Sequence, residues 1–82
     1  MKEAIVYELI EELETNEDNV SYVGYGISVY SVCNMGYQKI DEVKDISSKR
    51  QFVQDMVRKF NTLKLSKEHF RECILDQING IK

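Results

Sequence analysis

The residues best suited to chemistry lie near the end of the chain. His69 and Cys73 are four apart, so on a helix they share one face, and an imidazole beside a thiol can activate it for nucleophilic attack. A nucleophile also needs an oxyanion site and a third, orienting group, and no motif supplies either. The pattern therefore favours Cys73 as a core side chain beside Phe70 and Ile74, with His69 exposed.

A second candidate is a divalent-ion site on the same helix. Glu68, His69, Glu72 and Asp76 are spaced three or four apart and could converge on a cation. Such exposed, flexible ligands form a weak site, and two cysteines with one histidine cannot complete a closed four-ligand zinc site. Phosphate-binding glycine loops and hydrolase signatures are absent from the sequence. We therefore expect no catalytic residues, no metal and no cofactor, and a protein that is not an enzyme.

Aromatic side chains are concentrated in the first half of the chain. Tyrosines on a sheet can stack on single-stranded bases, but that mode needs a basic surround. Residues 1–46 instead carry ten acids against three lysines, a net charge of −7. Packing in the sheet, or a tyrosine-lined protein interface, accounts better for them. The five tyrosines of the chain are Tyr7, Tyr22, Tyr25, Tyr30 and Tyr37.

The second half of the chain is basic. Residues 47–82 carry eight bases against four acids, a net charge of +4. Two helices joined by a short turn could form a helix-turn-helix, but acids outnumber bases on the second helix. Nucleic-acid binding is therefore not favoured, although the bases could contact phosphates without specificity. The five bases of this kind on the two helices and the turn between them are Arg58, Lys59, Lys64, Lys67 and Arg71.

Length and composition predict one domain over residues 1–82. The chain is 43% hydrophobic and 30% charged, which is typical of a globular protein. It has no apolar run near the ~20 residues that span a bilayer, and its N-terminus lacks a signal-peptide layout. We expect a cytoplasmic protein without membrane contact, in which Cys33 and Cys73 are free thiols.

Residues 4–46 are predicted to form mainly strands. Residues 4–13 fit a strand or a helix equally well, whereas residues 21–33 alternate as a strand. Gly24 and Gly26 share one face of that strand, which suggests a bulge or a close approach by another backbone. Asn34–Gly36 is a plausible hairpin loop, and residues 37–46 form a return strand with a bulge.

Two amphipathic helices follow. Ser48 and Gln51 have capping-box spacing at the start of a helix predicted over residues 49–61. Ser66 is the expected N-cap of a second helix over residues 67–78.

Several short motifs resemble an uncharacterised family of small Firmicutes proteins. They are Tyr25-Gly26-Ile27-Ser28-Val29, Val43-Lys44-Asp45-Ile46-Ser47, Phe52-Val53 and Leu63-Lys64-Leu65-Ser66. The resemblance covers residues 5–78 and implies a small bacterial or bacteriophage protein. It favours a strand for residues 4–13, and hence an α+β fold in which a three-stranded antiparallel meander packs against the two helices. It implies no function, and Lys67 stands where the family pattern has a proline.

The sequence thus predicts a small non-enzymatic protein-interaction or regulatory module. Its partner is another protein or, as a homodimer, a second copy of the chain. Two alternatives stay open: a phage or mobile-element inhibitor that acts as an acidic decoy for a host defence nuclease, and weak nucleic-acid binding through the basic helix pair. The candidate interaction surface comprises Tyr22, Tyr30, Glu11, Glu12, Glu14, Arg58, Lys59, Lys64 and Arg71.

Overall fold

Three antiparallel strands in the order β1-β2-β3 form one sheet, and two helices follow them. The computed structural model describes residues 4–34 and 36–80. The α+β meander expected from the sequence is confirmed. The elements are β1 (Ala4–Thr15), β2 (Ser21–Cys33), β3 (Gly36–Ser47), α1 (Arg50–Leu63), a 3₁₀ turn (Lys67–His69) and α2 (Phe70–Asn79).

The ambiguous first segment is a strand. β1 pairs with β2 in an unbroken register from Ala4 opposite Val32 to Thr15 opposite Ser21. Tyr7 is buried, whereas Leu13, which a helical stripe would bury, is 74% exposed. Alternation places Ile5, Tyr7 and Leu9 against the core, and Leu13, on the same face, lies beyond the part of the sheet that the core covers.

Polar side chains close the first hairpin. The Asn16 Oδ1 accepts hydrogen bonds from the backbone N–H groups of Asp18 at 2.9 Å and Val20 at 3.1 Å. Asn19 adopts a left-handed conformation with φ of 63°, which asparagine tolerates well. In the second hairpin Gly36 has φ of 115°, as the predicted loop requires, and Met35 lies outside the described residues.

The helices pack on one face of the sheet, which we call the inner face. Odd-numbered residues of β1 and β2 point towards it, so the predicted grouping of Tyr25, Ile27 and Val29 is confirmed. The buried apolar side chains are Tyr7, Ile27, Val29, Val53, Met56, Phe60, Phe70 and Ile74. Neither helix has the length and apolarity needed to cross a membrane within residues 4–34 and 36–80.

The helix caps follow the sequence prediction only in part. The predicted Ser48–Gln51 capping box is wrong: Lys49 occupies the N-cap, the Ser47 Oγ accepts from the Lys49 N–H at 3.0 Å, and Gln51 bonds Asp55 instead. Ser66 does cap the second helical segment, where its Oγ accepts from the Glu68 N–H at 3.3 Å.

Tyr7 connects the sheet to the helix corner. Its ring lies 5.5 Å from the rings of both Phe60 and Phe70, measured between centroids. Its hydroxyl donates to the Leu65 carbonyl at 2.8 Å. Burial, and secondarily the nearby Cys73 and Glu68, raises the pKa of Tyr7 to about 12.

We expect Tyr7→Phe to lower the free energy of unfolding by about 1 kcal/mol at pH 7, because the Leu65 carbonyl loses its donor. Above pH 10 the unfolded wild type releases this proton while the folded state holds it to about pH 12. Wild-type stability should therefore fall over that range and the difference from Tyr7→Phe should shrink. Denaturant titrations from pH 8 to pH 12 measure this. Tyr37→Phe, which removes an exposed phenol, is the control, and an equal pH slope in Tyr7→Phe would contradict the assignment.

Candidate interaction surface

The second face of the sheet, the outer face, carries the even-numbered residues of β1 and β2. Neither helix packs on the outer face, because the buried side chains of both helices lie in the core against the inner face. Tyr30 lies there, and its ring meets that of Tyr37 edge-to-face at 5.3 Å. Tyr37 is 72% exposed. The aliphatic side chains of Val6, Ile10 and Val32 lie on the same face by register.

Part of the outer face is covered by β3 itself. Tyr25 pairs with Ser47 and Ile27 with Val43, so residues 44–46 bulge opposite the single residue Gly26. A Cβ on Gly26 would lie 2.9 Å from the Lys44 Cα and closer still to the Val43 carbonyl oxygen. The predicted bulge and close backbone approach are therefore confirmed at Gly26, whereas the atoms nearest to Gly24 belong to the side chains of Asp45 and Glu14.

Side chains of the bulge fix it to both other strands. Asp45 has φ of 54°, and its carboxylate accepts from the Tyr22 hydroxyl at 2.6 Å. This hydrogen bond raises the pKa of Tyr22. The Lys44 Nζ lies 3.6 Å from the Glu12 Oε2 on β1. The bulge thus bridges the full width of the sheet.

The acidic residues of the predicted surface divide between the two faces. Glu12 and Glu14 lie on the outer face with Tyr22, and Glu14 is directly opposite Tyr22 in the register. Glu11 lies on the inner side opposite Tyr25, where its side chain is exposed. Tyr30 lies farther along β2, so Tyr22, Glu12 and Glu14 form the compact part of the predicted set.

The basic residues are distributed over both helices and the turn between them. Arg58 lies 3.7 Å from Asp55, one turn earlier on α1, and Lys59 is exposed. Lys64 ends α1 in a left-handed conformation with φ of 54°. Arg71 is engaged by β3, as described next.

Arg71 fixes α2 to the edge of β3. Its guanidinium donates to both carboxylate oxygens of Asp41, at 3.1 and 2.6 Å, and to the Glu42 carbonyl at 3.3 Å. The pair holds the pKa of Asp41 below its usual range. The same Asp41 carboxylate accepts from the Glu42 N–H at 2.8 Å. Side chains thus satisfy both backbone groups of Glu42.

The side chain of Asn61 likewise bonds both backbone groups of one residue of β1, Tyr7. Its side-chain Oδ1 accepts from the Tyr7 N–H at 2.9 Å, and its Nδ2 donates to the Tyr7 carbonyl at 2.8 Å. The amide therefore occupies the place of a neighbouring strand at this one residue. Both outer strands are hydrogen-bonded to a helix side chain near their middles.

The two residues considered for catalysis, His69 and Cys73, have different surroundings. The His69 Nδ1 contacts the Glu72 Oε1 at 3.3 Å, while Cys73 packs against the core. Cys33 and Cys73 are free thiols, as expected. Among residues 4–34 and 36–80, no three His, Cys, Asp or Glu side chains converge as a metal site. A depression of about 240 Å³ beside α2 is lined by Val43, Arg71, Ile74 and Leu75.

Two structurally important residues escaped the sequence prediction. Asn61 falls in the last turn of α1, and no spacing rule marks its amide as a partner for β1. Asp45 carried a weak signal, because aspartate is among the few residues that tolerate positive φ and two glycines suggested a nearby bulge.

Gly26 and Ser28 give opposite predictions on one strand. Gly26→Ala should lower the free energy of unfolding by about 1–3 kcal/mol, because its Cβ meets backbone atoms of β3. Ser28 is fully buried and its hydroxyl has no hydrogen-bond partner in the described structure. Ser28→Ala should therefore be neutral or stabilise by up to about 1 kcal/mol. Chemical denaturation of both variants checks this, and equal losses would refute the explanation.

Asn61→Ala should cost roughly 1–3 kcal/mol, because it leaves the N–H and carbonyl of Tyr7 without their partners. Asn79→Ala removes an exposed amide at the end of α2 and is the matched control. Amide exchange gives a local test, since the Tyr7 N–H should exchange faster in Asn61→Ala alone. Unchanged exchange at Tyr7 would show that Asn61 does not protect this edge.

Comparison with known proteins gives a family without a known role. No curated protein and no solved structure matches the chain significantly. The profile of one family of unknown function matches residues 1–80, nearly the whole chain, as the sequence resemblance to an uncharacterised family led us to expect. The chain belongs to the family of unknown function DUF6514.

Proposed function

We propose that this chain is a small non-enzymatic interaction module that binds another protein through its sheet. The observation that carries the proposal is the mismatch in length between sheet and helices. β2 has 13 residues, or about 43 Å of extended chain. α1 has 14 residues, or about 21 Å. The helices therefore leave much of the sheet open to a partner.

Exposed apolar side chains lie where the helices do not reach. Leu13 is 74% exposed and Val23, its cross-strand partner, is 38% exposed. Tyr37 is 72% exposed at the opposite end of the sheet. Aromatic and aliphatic side chains of this kind often anchor protein interfaces.

Charge supports a basic partner. Residues 1–46 carry a net charge of −7, and Glu8, Glu11, Glu12 and Glu14 lie on β1. An acidic surface speeds association with a positively charged protein and disfavours acidic ones. The same charge argues against nucleic acid at the sheet. On the helix side, Arg71 is already paired with Asp41.

A narrower form of the proposal is an acidic decoy for a host defence nuclease. The extended 12-residue β1 strand carries Glu8, Glu12 and Glu14 on its outer face and Glu11 on its inner face, and a basic nucleic-acid channel could accept this acidic strand. In this form the partner would be a DNA- or RNA-cleaving enzyme, and nucleic acid would compete with the chain for it.

The test is capture from a nuclease-treated extract of the native organism, followed by quantitative mass spectrometry. Tyr30→Ser/Tyr37→Ser removes the outer-face ring pair, and Arg58→Ala/Lys59→Ala is the control on α1. We expect one protein, retained by the wild type and the α1 control, to be lost from the tyrosine variant. Identical captures by both variants would exclude the outer-face tyrosines as the contact, and the absence of any enriched protein would contradict the interaction function.

A titration against random single-stranded DNA and RNA tests the rival function. Anisotropy should show no binding at roughly 50 mM salt. Salt-sensitive binding that is lost in Arg58→Ala/Lys59→Ala would establish nucleic-acid binding by the helices and overturn the pure protein-interaction role.

A further inference from the structure

The outer edge of β1 has unpaired backbone groups beyond Tyr7. The bonds from Asn61 show that the N–H and carbonyl of Tyr7 point away from β2. Because outward groups recur every second residue in an antiparallel pair, those of Leu9, Glu11 and Leu13 point the same way. Within residues 4–34 and 36–80, no hydrogen bond reaches these three. We call their backbone the open edge.

The edge of β3 differs in two respects. Its register against β2 shifts between Tyr25 and Ile27 and again between Val29 and Tyr30. Its Glu42 backbone groups are bonded by Asp41 and Arg71. Bulges and side-chain caps are the devices that protect sheet edges from further pairing. β1 has one cap, at Tyr7, and no register shift, so it is the straight edge of the sheet.

Side chains beside the open edge define what could pair with it. Glu8, Glu12 and Glu14 point to the outer face, with Ile10 among them. Leu9 and Leu13 point to the inner face, with Glu11 between them. We propose that an extended segment of a partner protein, with basic and apolar residues in alternation, adds to β1 as a fourth strand. Its backbone bonds the open edge, its basic side chains face the glutamates, and its apolar side chains contact Leu9 and Leu13. This inference rests on the proposed protein-interaction function.

A second copy of the chain fits the open edge poorly. A two-fold pairing of β1 strands that fills the open edge would be centred on Glu11. It would place Glu11 opposite its own copy and Glu8 opposite Glu14. Like charges directly opposite each other destabilise a strand pair. Charge therefore selects a basic strand over self-pairing.

The probe is a blocked peptide in which lysine alternates with valine. The control is the same peptide N-methylated at alternate residues, which keeps charge and apolar area but cannot complete the backbone bonds. Hydrogen exchange by NMR reports the site. We expect the first peptide alone to slow exchange at Leu9, Glu11 and Leu13, while the Tyr7 amide, already bonded to Asn61, changes little.

A pair of variants separates backbone pairing from charge. Glu11→Pro removes an outward N–H without removing a bond to β2, whereas Glu11→Gln removes the same charge and keeps the N–H. The peptide should bind Glu11→Pro about tenfold or more weakly than Glu11→Gln, given the loss of a bond and the added bulk. Circular dichroism establishes that both variants fold. If Glu11→Pro does not fold, the methylated peptide provides the same test on the wild type.

Equal binding of the two peptides, or of the two variants, would overturn the open-edge proposal. So would a wild-type dimer in sedimentation experiments that Glu11→Pro abolishes, because the occupant would then be a second copy. A partner captured through the outer-face tyrosines and retained by Glu11→Pro would refute the open edge while leaving the interaction function intact. If the wild type captures no partner at all, both the open-edge proposal and the interaction function are overturned.

Discussion

The approach of the β3 backbone to Gly26 is the constraint on which the rest of this structure depends. With any side chain at this position, the Val43 carbonyl and the Lys44 backbone could not lie where they do. The resulting bulge lets Asp45 bond Tyr22 and Lys44 reach Glu12, so all three strands are connected on the outer face. Because of the bulge, the last residue of β3, Ser47, lies opposite Tyr25, and α1 can begin from there over the inner face.

Hydrogen bonds between helices and sheet edges supplement the apolar core. A core of eight buried side chains leaves the relative position of helix and sheet weakly specified, because apolar contacts have little directionality. Asn61 and Arg71 supply direction: each bonds backbone or carboxylate groups of one outer strand. They also limit where another strand can add, which leaves β1 beyond Tyr7 as the accessible stretch.

Much of the fold could be predicted from the sequence because local rules determined it. Alternation identified β2, and helical spacing identified the core side chains Val53 and Phe60. Other features of the structure were not predictable from local rules. The expected cap at Ser48 does not form: Lys49 is the N-cap residue and no side chain caps α1, while the Ser47 hydroxyl accepts from the Lys49 N–H. The pairing of Asn61 with Tyr7 spans 54 positions, so only tertiary structure could reveal it. That Glu11 and Glu12 lie on opposite faces of the sheet could be deduced only after β1 was known to be a strand.

The motifs that carried the family resemblance are explained by structure rather than by chemistry. Tyr25–Val29 is the strand that the bulge crosses, and Val43–Ser47 is the bulge itself, so the two motifs are in contact. Their contact is a steric requirement of this fold, and it involves no binding partner. Specificity must then reside in residues free of that requirement. The exposed side chains of Glu8, Leu13 and Tyr37 meet this condition, because no described hydrogen bond or ion pair engages them and the core does not bury them.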